Sequence, residues 1–191
     1  MPSHQNKETQ TNGIFEQEKA QIKLAQQQPA AFRPLYEAHY KTIYLFIYRR
    51  VDDEDTTADL CSQVFLKALT NLKKYKIRKV PFVAWLYRIA HNEVRQYYRR
   101  SEKERKVVVD EKIIDELETD PGEDSEERQI ILQRLLDTLN TLSIEDLQLV
   151  EMRYFEQKAF KEIGYILDIS ENHAKVKTYR VLDKLRKKLK S

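Results

Sequence analysis

Apolar positions along this chain recur three to four residues apart, in long blocks separated by short polar breaks, which predicts an all-α protein. Met1 to about Gly13 is polar and is expected to be a disordered tail. A weak helical pattern runs from Ile14 to Gln27, and Pro29 suits the first turn of a second helix reaching Arg50. Asp52 and Asp53 end that helix and can cap the next, from Glu54 to about Leu72. Lys73 to Val80 reads as a basic loop, and Pro81 opens a helix through Arg100.

The character then changes. Residues 106–125 are acidic, contain Pro121-Gly122 and lose sustained amphipathicity, so they read as a flexible linker. Lys106 to Val109 could form a short strand, but linker is the expectation there. Four helices follow, with breaks near Thr141 to Ser143, Gln157-Lys158 and Leu167 to Ser170. The expected architecture is two small helical domains, 14–105 and 126–191, joined by an acidic linker, the second containing a helix-turn-helix. With 3 glycines and 5 prolines in 191 residues, turns are scarce and long helices are the natural solution.

The last two helices carry a two-sided pattern. Ser170 can cap the final one. Ala174, Thr178, Val181, Leu185 and Leu189 make its core side, and Ile163, Ile166 and Leu167 face inward from the helix before it. Gly164 stands where the two would cross closely. The outer side holds His173, Val176, Lys177, Arg180 and Lys187. Cations there can meet phosphates or guanine edges, and the valine can meet a thymine methyl. A basic face alone is more often a solvated terminal helix; the cap, turn and spacing favour a DNA-reading helix.

The helix from Pro81 repeats this logic. Leu86, Ile89, Ala90 and Tyr97 point one way; Arg88, Asn92, Arg95 and Arg99 lie on the other, with Arg100 beside them. Arginines in a row suit an anionic partner, and asparagine suits base edges. Tyr75, Phe82, Trp85, Tyr87 and Tyr98 lie close by, and basic groups mixed with aromatics suit unpaired bases. Trp85 reads as a core anchor. Tyr87 and Tyr98 are either stacking groups or ordinary surface tyrosines. On the helix from Glu54, Cys61, Val64, Phe65, Ala68 and Leu72 face the core. Asp59, Ser62, Gln63 and Leu66 face outward, and an exposed leucine among them suggests a protein contact.

The net charge of +3 says less than this local distribution. Cys61 is the only cysteine, so neither a disulfide nor a zinc site is expected within the chain, and a reducing compartment fits. No apolar run approaches a membrane span and the N-terminus has no signal-peptide pattern, so the expectation is cytoplasmic, without membrane insertion. His4, His39, His91 and His173 do not fall at metal-ligand spacing with acids, and no phosphate-binding glycine loop or nucleophile motif occurs. Neither an enzyme nor a cofactor is expected.

The blocks ADLCSQVFLKAL, PFVAWLYRIAHNEVRQYYRR and KEIGYILDISENHAKVKTYRVLDKL resemble the extracytoplasmic-function (ECF) sigma factors, small two-domain members of the bacterial sigma family. The resemblance covers about Gln17 to Arg105 and Glu127 to Leu189. It implies core RNA polymerase, double- and single-stranded promoter DNA and an anti-sigma protein in trans as partners. Asp59, Ser62, Gln63 and Leu66 would dock on the clamp helices of the largest polymerase subunit. Lys76, Arg78 and Lys79 of the loop, with Asn92, would capture an unstacked base of the −10 element. Arg88, Arg95, Arg99 and Arg100 would hold its phosphates. Ser170, His173, Val176, Lys177 and Arg180 would read the −35 element, and the acidic linker would thread into the polymerase. Ser62 and Gln63 stand where the family usually has Gln and Glu, Gly164 where it has Ala, and His173 where it has a small residue or Thr. The competing readings are a stand-alone dimeric helix-turn-helix regulator and an RNA-binding protein.

Overall fold

The computed structural model describes residues 5–78, 80–101 and 125–190, and among them every regular element is helical. The first domain is built from α1 (Gln5–Gln27), α2 (Arg33–Val51), α3 (Glu54–Asn71) and α4 (Phe82–Ser101). The second comprises α5 (Ser125–Asn140), α6 (Ile144–Val150), α7 (Phe160–Leu167) and α8 (Glu171–Lys190). The linker and the strand alternative at Lys106 to Val109 lie outside the described residues, except that Ser125 already starts α5.

One expectation is corrected at the N-terminus. The segment read as a tail is helical from Gln5 onward. Glu, Gln, Lys and Thr extend a helix already nucleated by Ile22 and Ala25, which pack into the core, and propagation needs no new nucleus. Pro29 does not start α2. It opens a 3-10 turn, Pro29–Phe32, and α2 begins at Arg33 with Pro34 in its first turn.

The aspartates act as read from the sequence. Asp52 ends α2 in the left-handed conformation (φ 53°), its N–H donating to the Tyr48 carbonyl. Asp53 caps α3 by accepting from the Thr56 N–H at 2.8 Å. A tie that the pattern did not announce comes from Gln26. Its amide donates to the Leu72 carbonyl at 3.0 Å and the Tyr75 carbonyl at 2.8 Å, fixing the start of the basic loop against α1.

The core of the first domain is made by Ile43, Ile47, Cys61, Val64, Phe65, Ala68, Phe82, Leu86, Ala90 and Val94, all nearly inaccessible. Burial pushes the Cys61 thiol up to about 11, in keeping with its reading as a small buried hydrophobe. In the second domain Met152, Ile163, Ile166, Ala174, Val181 and Leu185 are buried. Between α6 and α7 the chain makes a π-helical turn, Glu151–Phe155, and a left-handed residue, Gln157 (φ 51°). No helix among the described residues is long and apolar enough to cross a membrane.

The domains meet along α4 and α7. Arg50, at the end of α2, is 1 % exposed and reaches Glu156 at 2.7 Å and Glu151 at 3.3 Å. Lys158 sits 3.3 Å from Glu156 and 3.5 Å over the Tyr87 ring. Four charges of net zero are thus buried in the seam, where each needs the others.

Candidate nucleic-acid and polymerase interfaces

The α4 surface is set by which residues its core side consumes. Phe82, Leu86, Ala90 and Val94 are buried, which turns Asn92, Arg95, Arg99 and Arg100 to solvent. Asn92 lines a cleft of about 360 Å³ together with Lys67, Asn71, Lys74, Tyr75, Trp85, Ile89 and Glu93. Its aromatic wall is rigid: Tyr75 and Trp85 rings lie 4.6 Å apart, and Phe82 closes on both at 5.3 and 5.5 Å. Trp85 is therefore the core anchor expected, with one edge on the cleft. Burial pushes the Tyr75 phenol up to about 12, so it stays a neutral hydrogen-bonding group.

The cleft adds residues that the helical wheel did not reveal. Asn71 and Lys74 come from the end of α3 and the turn after it. Glu93 is 5 % exposed and held by Lys67 at 2.6 Å. A wheel drawn for one helix cannot show what a neighbouring helix adds; only Lys74, within the basic loop, carried a signal. Lys76 and Arg78 are exposed on that loop, and Lys79 lies outside the described residues.

Two tyrosines differ from both readings offered for them. Tyr87 is buried, its ring 4.7 Å from Phe46 and covered by Lys158, and its hydroxyl is pushed up to about 12 by burial. Tyr98 is half-buried and donates to the Arg50 carbonyl. The second domain and the end of α2 cover them, which a pattern within α4 does not encode. Arg88 also stands apart from its row. It is half-buried, and its guanidinium meets the Asp168 carboxylate at 2.9 Å and lies near the Tyr165 ring.

On α3, Asp59, Ser62, Gln63 and Leu66 are all exposed, Leu66 to 62 %. Gln63 borders a second cleft of about 220 Å³ that it shares with Gln96 and Arg100 of α4, so the outward α3 face adjoins the arginine row.

The last two helices form a tight helix-turn-helix. Asp168 ends α7 in the left-handed conformation (φ 59°), and Ser170 caps α8 by accepting from the His173 N–H at 3.1 Å. Gly164 lets the helices close: a Cβ there would lie 2.8 Å from the Ile169 carbonyl oxygen. Ala174, Thr178, Val181 and Leu185 are buried. His173, Val176 and Arg180 are exposed and Lys177 is half-exposed, so these candidates share the outer face. Asn172, Lys175 and Tyr179 are exposed on α8 as well and were missed, although asparagine at a recognition-helix N-terminus is itself a base-reading signal.

The family comparison fits this geometry piece by piece. Residues 35–104 match sigma-70 region 2, and residues 138–187 match sigma-70 region 4. The chain belongs to the ECF sigma factors. These are transcription initiation factors that direct RNA polymerase to promoters and are not enzymes. The chain is 30 % identical over 153 residues to the ECF sigma factor BldN of Streptomyces coelicolor, covering 80 % of this chain and 58 % of BldN. It is 23 % identical over 152 residues to SigM of Bacillus subtilis, covering 80 % of this chain and 91 % of SigM. The fold resembles that of CnrH, solved with the cytosolic domain of CnrY, at a TM-score of 0.58 and 19 % identity over 90 % of this chain and 96 % of that one. Region 2 thus holds α2 to α4 with the Asn92 cleft, and region 4 holds the helix-turn-helix. A stand-alone helix-turn-helix regulator would have no use for region 2.

Proposed function

We propose that this sigma factor captures an unstacked −10 base in the Asn92 cleft, holds the adjoining phosphates with Arg95, Arg99 and Arg100, and reads the −35 element with α8. The observation that carries this is the cleft itself. It joins an aromatic wall, two asparagine amides and two lysines beside a row of exposed arginines, which suits a base pulled from its stack and its anionic backbone. Trapping that base offsets the few kcal/mol of unstacking that opening the duplex costs. Arg88 would join the phosphate-holding row once freed from Asp168. The exposed Asp59, Ser62, Gln63 and Leu66 face takes the polymerase, with Leu66 as its apolar anchor. The chain acts in the cytoplasm, and an anti-sigma protein in trans restrains it.

The test is Asn92→Ala in transcription with core polymerase, comparing promoters that vary at each −10 base. The variant should lose discrimination at one position and keep it elsewhere. Equal discrimination by parent and variant at every position removes Asn92 from base capture. Asp59→Lys should weaken co-purification with core polymerase while leaving helical content unchanged; full co-purification removes that face from polymerase binding.

A further inference from the structure

Helix α1 ends before the segment matched to region 2 begins, at residue 35, yet its inward face reaches the residues that wall the Asn92 cleft. Ile22 and Ala25 bury that face. Glu18 and Gln26 stand beside them at helical spacing, and each reaches the backbone of another segment. The Gln26 amide donates to the Leu72 carbonyl at 3.0 Å and to the Tyr75 carbonyl at 2.8 Å. The Glu18 carboxylate accepts from the Phe82 N–H at 3.4 Å, and its other oxygen accepts from His39 Nε2 at 2.9 Å.

These ties land on the two residues whose rings, with Trp85, make the aromatic wall. The Tyr75 ring lies 4.6 Å from Trp85 and 5.3 Å from Phe82. The chain between Tyr75 and Phe82 forms no regular element among the described residues, and Lys73, Lys74, Lys76, Arg78 and Lys79 crowd it with like charge. Ile77 and Val80 give it apolar contacts, but polar groups of α1 fix its two ends. A segment with so few hydrogen bonds of its own opens locally at low free energy unless its ends are held. The chemistry of each tie suits its place. The Leu72 and Tyr75 carbonyls follow the end of α3, where helical partners run out, and a neutral amide satisfies both without adding a cation to a basic loop. The Phe82 N–H is an unpaired donor of the first turn of α4, and a carboxylate there also opposes the positive end of the helix.

We propose that α1 sets the −10 specificity of this sigma factor, with Gln26 and Glu18 as positioning residues that hold Tyr75 and Phe82 by their backbones and so hold the wall on which the captured base stacks. The proposal rests on the base-capture reading above. Neither Gln26 nor Glu18 lines the cleft, so neither meets the base itself. Loosening either end lets the wall drift from Asn92, and a displacement of about 1 Å is enough to lose well-placed contacts. A merely stabilising role would weaken both promoter elements alike, whereas a positioning role weakens one.

The experiment uses the full chain with core polymerase and measures transcription from a mapped promoter and from versions changed one base at a time in the −10 and −35 elements. Gln26→Met keeps the length of the side chain and removes the donor; Glu18→Leu removes the acceptor at the other end. Each should lower discrimination at the captured −10 base by about tenfold and leave −35 discrimination at the parental level, which also reports that the protein is folded. Glu18→Gln, whose amide oxygen still accepts from the Phe82 N–H, should restore the parental preference. Amide hydrogen exchange over residues 75–82 should quicken in Gln26→Met and Glu18→Leu. Unchanged exchange, equal loss at both promoter elements, or a loss in Glu18→Gln as large as in Glu18→Leu overturns the proposal. So does parental −10 discrimination in Gln26→Met when Asn92→Ala has lost it. If instead Asn92→Ala keeps every −10 preference while Gln26→Met shifts one, base capture by Asn92 falls and the positioning of the loop by α1 stands.

Discussion

At the scale of single residues, the proposed reading of the −35 element by α8 gives Arg180 and Lys177 different expected parts. Arg180 is exposed opposite the buried Ala174, Thr178 and Val181, whereas Lys177 is half-exposed at the shoulder of that face. Neither packs the core, so alanine at either should change thermal stability by less than about 0.5 kcal/mol. If Arg180 pairs with a guanine, Arg180→Ala should cost about 1–3 kcal/mol of binding and relax preference at one −35 position. If Lys177 touches only phosphate, Lys177→Ala should weaken all promoters alike and lower the salt dependence of binding by about one unit of slope. Binding isotherms on −35 duplexes at several salt concentrations check both. Parental binding by both variants would leave this face as merely solvated.

At the scale of elements, the packing of α7 against α8 turns on one missing side chain. Alanine at Gly164 would bring its Cβ to 2.8 Å from the Ile169 carbonyl oxygen and 3.2 Å from the Glu171 nitrogen, both backbone atoms that cannot rotate away. Alanine gains about 1 kcal/mol of helix propensity over glycine, but overpacking a backbone crossing costs about 1–3 kcal/mol. The helices must part, and α8 changes its angle to region 2 and to DNA. Gly164→Ala should therefore lower the melting temperature of region 4 and reduce promoter activity more than Lys177→Ala does. A variant as stable and active as the parent would show that the turn relaxes freely.

At the scale of the whole molecule, the seam should be sensitive to acid. Burial alone would raise the Glu156 carboxyl, but Arg50 and Lys158 outweigh it and hold the group below the ordinary carboxylate range. Burial likewise works against the Arg50 charge, yet Glu156 and Glu151 keep it raised, so Arg50 stays a cation throughout. A carboxyl lowered on folding contributes stability above its unfolded value, and that contribution is lost as pH falls through the folded one. Stability measured between about pH 6 and pH 3 should fall more steeply for the parent than for Glu156→Gln, which has no such group to titrate. Identical slopes would mean that Glu156 does not sense its partners.

The sequence by itself determined the helices, their caps and most of the exposed faces. Helical periodicity is local, and residues such as Asp52, Asp53 and Ser170 act within one turn of where they stand. Asp59, Asn92, Arg95, Val176 and Arg180 could be placed on outer faces because their own helices leave them no other side. Tertiary structure alone decided what lies between elements. Asn71 and Lys74 join Asn92 only because α3 and α4 pack side by side, and the same packing pairs Glu93, its neighbour on α4, with Lys67 of α3. Tyr87 and Arg88 looked like surface groups because α4 cannot reveal that Lys158, after the π-helical turn, and Asp168, at the end of α7, will meet them. Arg50 reads as one more cation at a helix end until Glu151 and Glu156 arrive from about a hundred residues away, and pairing across that separation is a property of the folded chain, with no trace in local spacing.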